Sequence, residues 1–168
     1  FSGLSSLESL YLIQNKITTI DDDINTISDN LKILELGSNR IRVIENLKNF
    51  NNLEQLFLGR NKIANILPTS FENLPKLRIL SLQSNRLTTI ENIEPLASSL
   101  EELYLSHNGL KSINGVGSLK QLKILDASNN FLESIDAAEI LQLENLEELW
   151  LNDNNIQSMD WLYKLKPL

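Results

Sequence analysis

Cysteine is absent from the 168 residues of this chain. Disulfides and thiolate zinc sites are thereby excluded, and a reducing compartment is compatible with the chain. Histidine is nearly absent: His107 stands alone, without the partners that a Ser–His–Asp triad or an imidazole metal site requires. No apolar run approaches the roughly 18 residues that span a bilayer. The opening residues "FSGLSSLESL" also lack the basic start of a secretory signal, so no membrane partner is expected. Cations are the minority, with 15 Lys and Arg against 22 Asp and Glu and a net charge of −7. They are scattered along the chain. A phosphate backbone is gripped by clustered cations, so nucleic-acid binding is not expected and a basic protein surface suits the chain better.

Three stretches look chemical and lack what chemistry needs. "DDDINTISDN" at 21–30 is acidic but has neither the glycine nor the closing glutamate of a calcium loop, and reads as a solvated bulge. "GVGS" at Gly115–Ser118 is not followed by the helix that a phosphate loop requires, and a tight bend explains it. The pairs Glu101–Glu102 and Glu147–Glu148 are adjacent, and adjacent strand residues face opposite ways, so they form no catalytic carboxylate dyad. No enzymatic reading survives, and no cofactor or metal is expected.

What is present is one unit, repeated. L-x-x-L-x-L-x-x-N-x-I/L occurs at "LESLYLIQNKI", "LKILELGSNRI", "LEQLFLGRNKI", "LRILSLQSNRL", "LEELYLSHNGL", "LKILDASNNFL" and "LEELWLNDNNI". Its asparagines are Asn15, Asn39, Asn61, Asn85, Asn108, Asn130 and Asn154, at spacings of 24, 22, 24, 23, 22 and 24. Ala127 is the one break in the leucine positions. A unit this short cannot bury its own apolar side, so neighbours stack and share a core. The pattern therefore predicts an α/β leucine-rich repeat solenoid, right-handed, with about seven repeats of 22–24 residues and a parallel concave sheet. The convex side should be 3₁₀-like, because Ile41, Ile44, Leu47, Phe50 and Leu53 recur every third position. Short α-helices are expected in "ILPTSFENLPKL" and "IDAAEILQLENL". Residues 1–168 read as a single domain. Phe1 and Leu4 match the tail of an earlier unit and Leu168 the start of a later one, so the expectation is a fragment lacking both terminal caps.

Between the two strand leucines of each unit stand Tyr11, Glu35, Phe57, Ser81, Tyr104, Asp126 and Trp150. Since alternate strand residues face opposite ways, all seven must leave the core and line the concave surface. Four of the ten aromatics of the chain lie in this one column. Two residues earlier runs a second column: Ser9, Ile33, Gln55, Ile79, Glu102, Ile124 and Glu148. Aligned exposed rings and isoleucines mark a protein contact.

The stretches "LELGSNRIRVIENL", "LEQLFLGRNKI", "LSLQSNRLTTIE", "LEELYLSHNGL" and "LEELWLNDNNIQS" resemble, in the same order, the nuclear leucine-rich-repeat regulators of type 1 serine/threonine protein phosphatase, the regulatory subunit 7 family. The resemblance implies a non-catalytic subunit that grips the phosphatase catalytic subunit with its concave face, monomeric, in nucleus and cytoplasm. Carried over by motif, Glu35, Phe57, Asp126, Glu148 and Trp150 should contact the enzyme. Tyr11 stands where that family has Phe, and Tyr104 joins them as a ring of the same column. The alternative is a leucine-rich repeat adaptor, of spliceosomal or axonemal type, that uses the same groove for a different protein.

Overall fold

Each L-x-L segment forms one three-residue strand: β1 (Ser9–Tyr11), β2 (Ile33–Glu35), β3 (Gln55–Phe57), β4 (Ile79–Ser81), β5 (Glu102–Tyr104), β6 (Ile124–Asp126) and β7 (Glu148–Trp150). The computed structural model describes residues 4 and 6–164; Phe1 and Leu168, read above as parts of neighbouring units, lie outside them. The seven strands form a single parallel sheet in chain order, about 30 Å along at the usual strand separation. The central leucine of each strand turns inward. Leu34, Leu56, Leu80, Leu103 and Leu125 are fully buried, while Leu10 and Leu149, on the outermost strands, are only partly covered.

The repeat asparagine turns the chain off the sheet. Asn61 Nδ2 donates to Leu58 O of its own unit (3.0 Å) and to Leu36 O of the preceding one (3.0 Å). Its Oδ1 accepts from Ile41 N at 2.9 Å. Asn39, Asn85, Asn108, Asn130 and Asn154 repeat the same set. A side-chain amide is suited to this because it offers both donors and an acceptor to backbone groups the turn leaves unpaired. Ala127, short where a leucine is expected, is buried and gives its carbonyl to both Asn130 and Asn154. The ladder needs only its backbone.

The residue before each of these asparagines is left-handed. Gln14, Ser38, Arg60, Ser84, His107, Asn129 and Asp153 have φ between 52° and 58°. Asn129, Asp153 and His107 are of types that tolerate this region, whereas Gln14, Ser38, Arg60 and Ser84 are not. In six of the seven the amide donates to the next unit, as Arg60 N does to Gln83 O at 2.8 Å. A second set of left-handed positions on the convex side holds Asn46, Asn92 and Gly115. Asn46 and Asn92 reach back to Ile20 O (2.6 Å) and Ile66 O (2.8 Å).

The convex side departs from expectation in three places. "DDDINTISDN" keeps its acids in water as expected, but in place of a bulge Asp22–Ile27 form a 3₁₀ helix that buries Ile24 and Ile27. "ILPTSFENLPKL" forms no α-helix. Between Pro68 and the left-handed Asn73 there is room for about one turn, which closes as Ser70 N to Leu67 O at 3.0 Å. The unit from Asn39 to Asn61 contains turns and extended chain rather than a 3₁₀ helix, although Ile41, Ile44, Leu47, Phe50 and Leu53 are all buried. The 3₁₀ segments Glu94–Leu96, Val116–Ser118 and Asp160–Lys164 and the helix α1 (Ala137–Leu141) occupy the later units. Asp136 caps α1 by accepting from Ala138 N at 2.9 Å.

"GVGS" is the tight bend expected. Gly115 has φ 101°, and a Cβ there would lie 2.7 Å from Ile90 O. The amides of Gly115 and Gly117 are taken by Glu139 Oε2 of α1 at 3.0 and 2.7 Å. Among the described residues no helix is long and apolar enough to cross a membrane.

A further ladder runs along the edge where the chain enters the sheet. Its residues are Glu8, Lys32, Glu54, Arg78, Glu101, Lys123 and Glu147, alternating in sign without exception. Lys32 pairs with Glu8 at 3.0 Å, and Glu101 takes both Arg78 and Lys123 at 2.9 Å. Hydrogen bonds from Arg78 and Lys123 hold the Glu101 carboxyl down to about 2.

Candidate protein-binding face

Parallel pairing is in register throughout, so the column expected from sequence is a physical column. Tyr11, Glu35, Phe57, Ser81, Tyr104, Asp126 and Trp150 are successive partners across the sheet. Ser9, Ile33, Gln55, Ile79, Glu102, Ile124 and Glu148 pair in the same way beside them. Both columns lie on the face opposite the buried leucines.

Their accessibility is graded. Tyr11 is 63% exposed and Trp150 45%, at the two outer strands. Phe57 and Tyr104 are half-buried, and Ser81 between them is only 5% exposed. The small Ser81 leaves a shallow depression floored by its side chain and walled by Phe57, Ile79, Tyr104, Gln83 and Glu102. Phe57, Ser81 and Gln83 also line a second hollow, toward the strand exits, with Glu35, Gly37, Gly59 and Arg60. Phe57 thus lines both hollows.

The acids divide into two kinds. Glu35 Oε1 accepts from Gly37 N at 2.6 Å and Asp126 Oδ1 from Ser128 N at 2.9 Å, so each braces the exit of its own strand. Asp126 is 6% exposed and offers little area to a partner. Glu102 and Glu148 instead hold the neighbouring rings: Tyr104 Oη donates to Glu102 Oε2 at 2.7 Å, and Trp150 Nε1 donates to Glu148 Oε2 at 3.0 Å. Burial, and then the Glu102 carboxylate, push the Tyr104 hydroxyl up to about 12, so it remains a donor across the physiological range. Rings held this way lose less rotamer entropy on contact with a partner.

All seven site residues expected from sequence therefore share one face. Sequence reading passed over Ser81, the notch between two rings, and Glu102, which orients Tyr104. Both stand in columns already aligned, and the contrast in side-chain size was the available signal. Among the described residues no cluster of three or more His, Asp or Glu side chains is placed to hold a metal ion.

Known proteins share this pattern. A family model described as "Leucine rich repeat" matches residues 29–87, and one described as "Leucine Rich repeats (2 copies)" matches residues 98–142. A curated relative from Arabidopsis thaliana, a protein phosphatase 1 regulatory inhibitor subunit PPP1R7 homolog, is 50% identical over 46 residues, covering 27% of this chain and 13% of its own length. A solved leucine-rich repeat protein of Leptospira interrogans superposes over 97% of this chain and 47% of its own, with a TM-score of 0.82 and 29% identity. The chain thus spans about an eighth of that relative and about half of that structure.

Proposed function

From the premise that this chain is a leucine-rich repeat protein, we propose that it is a non-catalytic regulatory subunit whose concave face binds the catalytic subunit of type 1 serine/threonine protein phosphatase. The observation that carries the reading is the in-register column with Phe57 as a half-buried ring lining two hollows and Trp150 as an exposed ring beside Glu148. Half-buried aromatic anchors next to acids suit a partner surface with apolar pockets and basic side chains. The Arabidopsis relative supports the choice of partner, since the protein it is named for regulates a phosphatase. A nuclear and cytoplasmic location belongs to the same reading.

The test is calorimetric titration of the chain with purified type 1 catalytic subunit. Phe57→Ala and Trp150→Ala should each weaken binding by on the order of 2 kcal/mol, about thirtyfold. Equal affinity in both variants would remove the concave face from the account. The second reading is an adaptor for another protein. It draws on the family matches, which cover more of the chain than the phosphatase-regulator relative does. That reading expects no heat with the phosphatase.

A further inference from the structure

The cations are not scattered once the units are stacked. Immediately after the repeat asparagine stand Lys16, Arg40, Lys62 and Arg86, in four consecutive units. Backbone bonds fix them in register: Arg40 N to Ile17 O, Lys62 N to Ile41 O and Arg86 N to Ile63 O, each 2.8 Å. Adjacent members are therefore about one strand spacing apart, and the stripe is roughly 15 Å long. Arg60 and Arg42 flank it two residues to either side of the same column. No acid occupies the flanking positions of these four units, which are otherwise Gln14, Ser38, Ser84, Thr18, Ala64 and Thr88. Lys62 is half-buried and the other five cations are exposed, and none of the six enters a salt bridge among the described residues.

The molecule supplies its own contrast. On the entry edge of the sheet the charges alternate in sign through seven units, so that like charges never stack. On this flank four like charges stack in a row, an arrangement that lowers stability. The fold does not demand cations there, since Gly109, Phe131 and Asn155 hold the position in the later units. A row of unpaired cations kept against its own repulsion, on a chain of net charge −7, is the mark of a surface used for binding.

We propose that this stripe docks a short acidic segment of a partner protein, on the flank where the chain leaves the sheet, which borders the concave face at Arg60. A protein segment fits better than a nucleic acid for two reasons. The stripe is short and the rest of the molecule is strongly acidic, so a long polyanion is repelled beyond it. No aromatic residue occupies the stripe or its flanking positions in these four units, and Phe57 meets the set only at Arg60.

The experiment is fluorescence anisotropy of a labelled oligoglutamate of about six residues, some 20 Å when extended, against the whole chain. Binding should be saturable and weaken about tenfold between low and physiological salt, because exposed charges are screened. The variant Lys16→Gln/Arg40→Gln/Lys62→Gln/Arg86→Gln should lose at least tenfold in affinity and, relieved of repulsion, unfold at a higher urea midpoint. Arg40→Gln/Arg86→Gln should lose an intermediate amount, which serves should the fourfold variant fold poorly. One control should bind like the parent: Lys48→Gln/Lys76→Gln/Lys120→Gln/Lys164→Gln, equal in charge. No binding by the parent, or equal loss in the charge control, overturns the proposal. Tighter binding of oligouridylate than of oligoglutamate overturns it in favour of a nucleic acid.

Discussion

Asn61 and Asn15 occupy the same place in the repeat and differ only in what lies behind them. Asn61 joins two units through buried hydrogen bonds, whereas Asn15 is exposed and, among the described residues, bonds to Leu12 O and Ile13 O of its own turn. Asn61→Ala leaves buried backbone groups of two units without partners and should cost about 2–3 kcal/mol. Asn15→Ala leaves groups that water can reach and should cost about 0.5 kcal/mol or less. Urea midpoints of the two variants give the comparison; equal losses would mean that the inter-unit bonds contribute nothing beyond the local turn. The motif identified the asparagine, and counting its donors and acceptor foretold the role. The left-handed residue before it was illegible. Gln14, Ser38 and Arg60 have no preference for φ > 0, so the turn of the repeat and not the residue type sets the conformation.

Among the elements, the helix α1 and the bend at Gly115 act as a pair. Glu139 reaches back from α1 to two amides of the preceding unit, and Gly115 alone tolerates the approach of Ile90 O. Gly115→Ala meets both a positive φ and a contact at 2.7 Å with backbone, and should destabilise by about 1–3 kcal/mol. Glu139→Gln, which keeps an acceptor oxygen, should cost less, and amide exchange at Gly117 would report the loosening. The entry edge carries a pH dependence of definite sign. The Glu101 carboxyl is depressed from 4.5 to about 2, so its ion pairs stabilise the fold above the unfolded value and are lost as pH falls from about 4.5 through about 2. Glu101→Gln should flatten stability against pH across that window, and added salt should shrink the difference, since the pairs are solvent-exposed. Parallel acid titrations of parent and variant, followed by circular dichroism, would show curves of equal slope if the pairs were idle.

At the scale of the whole molecule, a solenoid turns sequence position into surface position. Each place in the repeat becomes one column, and the columns sort the side chains by task. Leucines fill the core, asparagines close the turns, alternating charges run along the entry edge and rings line the concave face. On the exit flank the cations of four units make a stripe. The two proposed surfaces lie in different columns and border one another at Arg60. Phe57→Ala/Trp150→Ala should impair the concave partner more than the acidic peptide, and the stripe variants the reverse. Convex segments were the least legible part. There the units vary from 22 to 24 residues, and Pro68, Asn73 and the 3₁₀ helix Asp22–Ile27 set local solutions that no repeat pattern describes.

By itself the sequence determined the number of units, the inward leucines, the asparagine turns and the membership of the aromatic column. These follow from a period, and a period of two within each strand fixes which side chains leave the core. Tertiary structure alone decided how the column is tuned. Ser81 became a notch because two larger rings stand beside it, and Asp126 was drawn into bracing Ser128 N rather than left free. It also decided that distant lysines and arginines form one stripe. Charges more than twenty residues apart along the chain interact only after backbone bonds between units bring them to a single strand spacing.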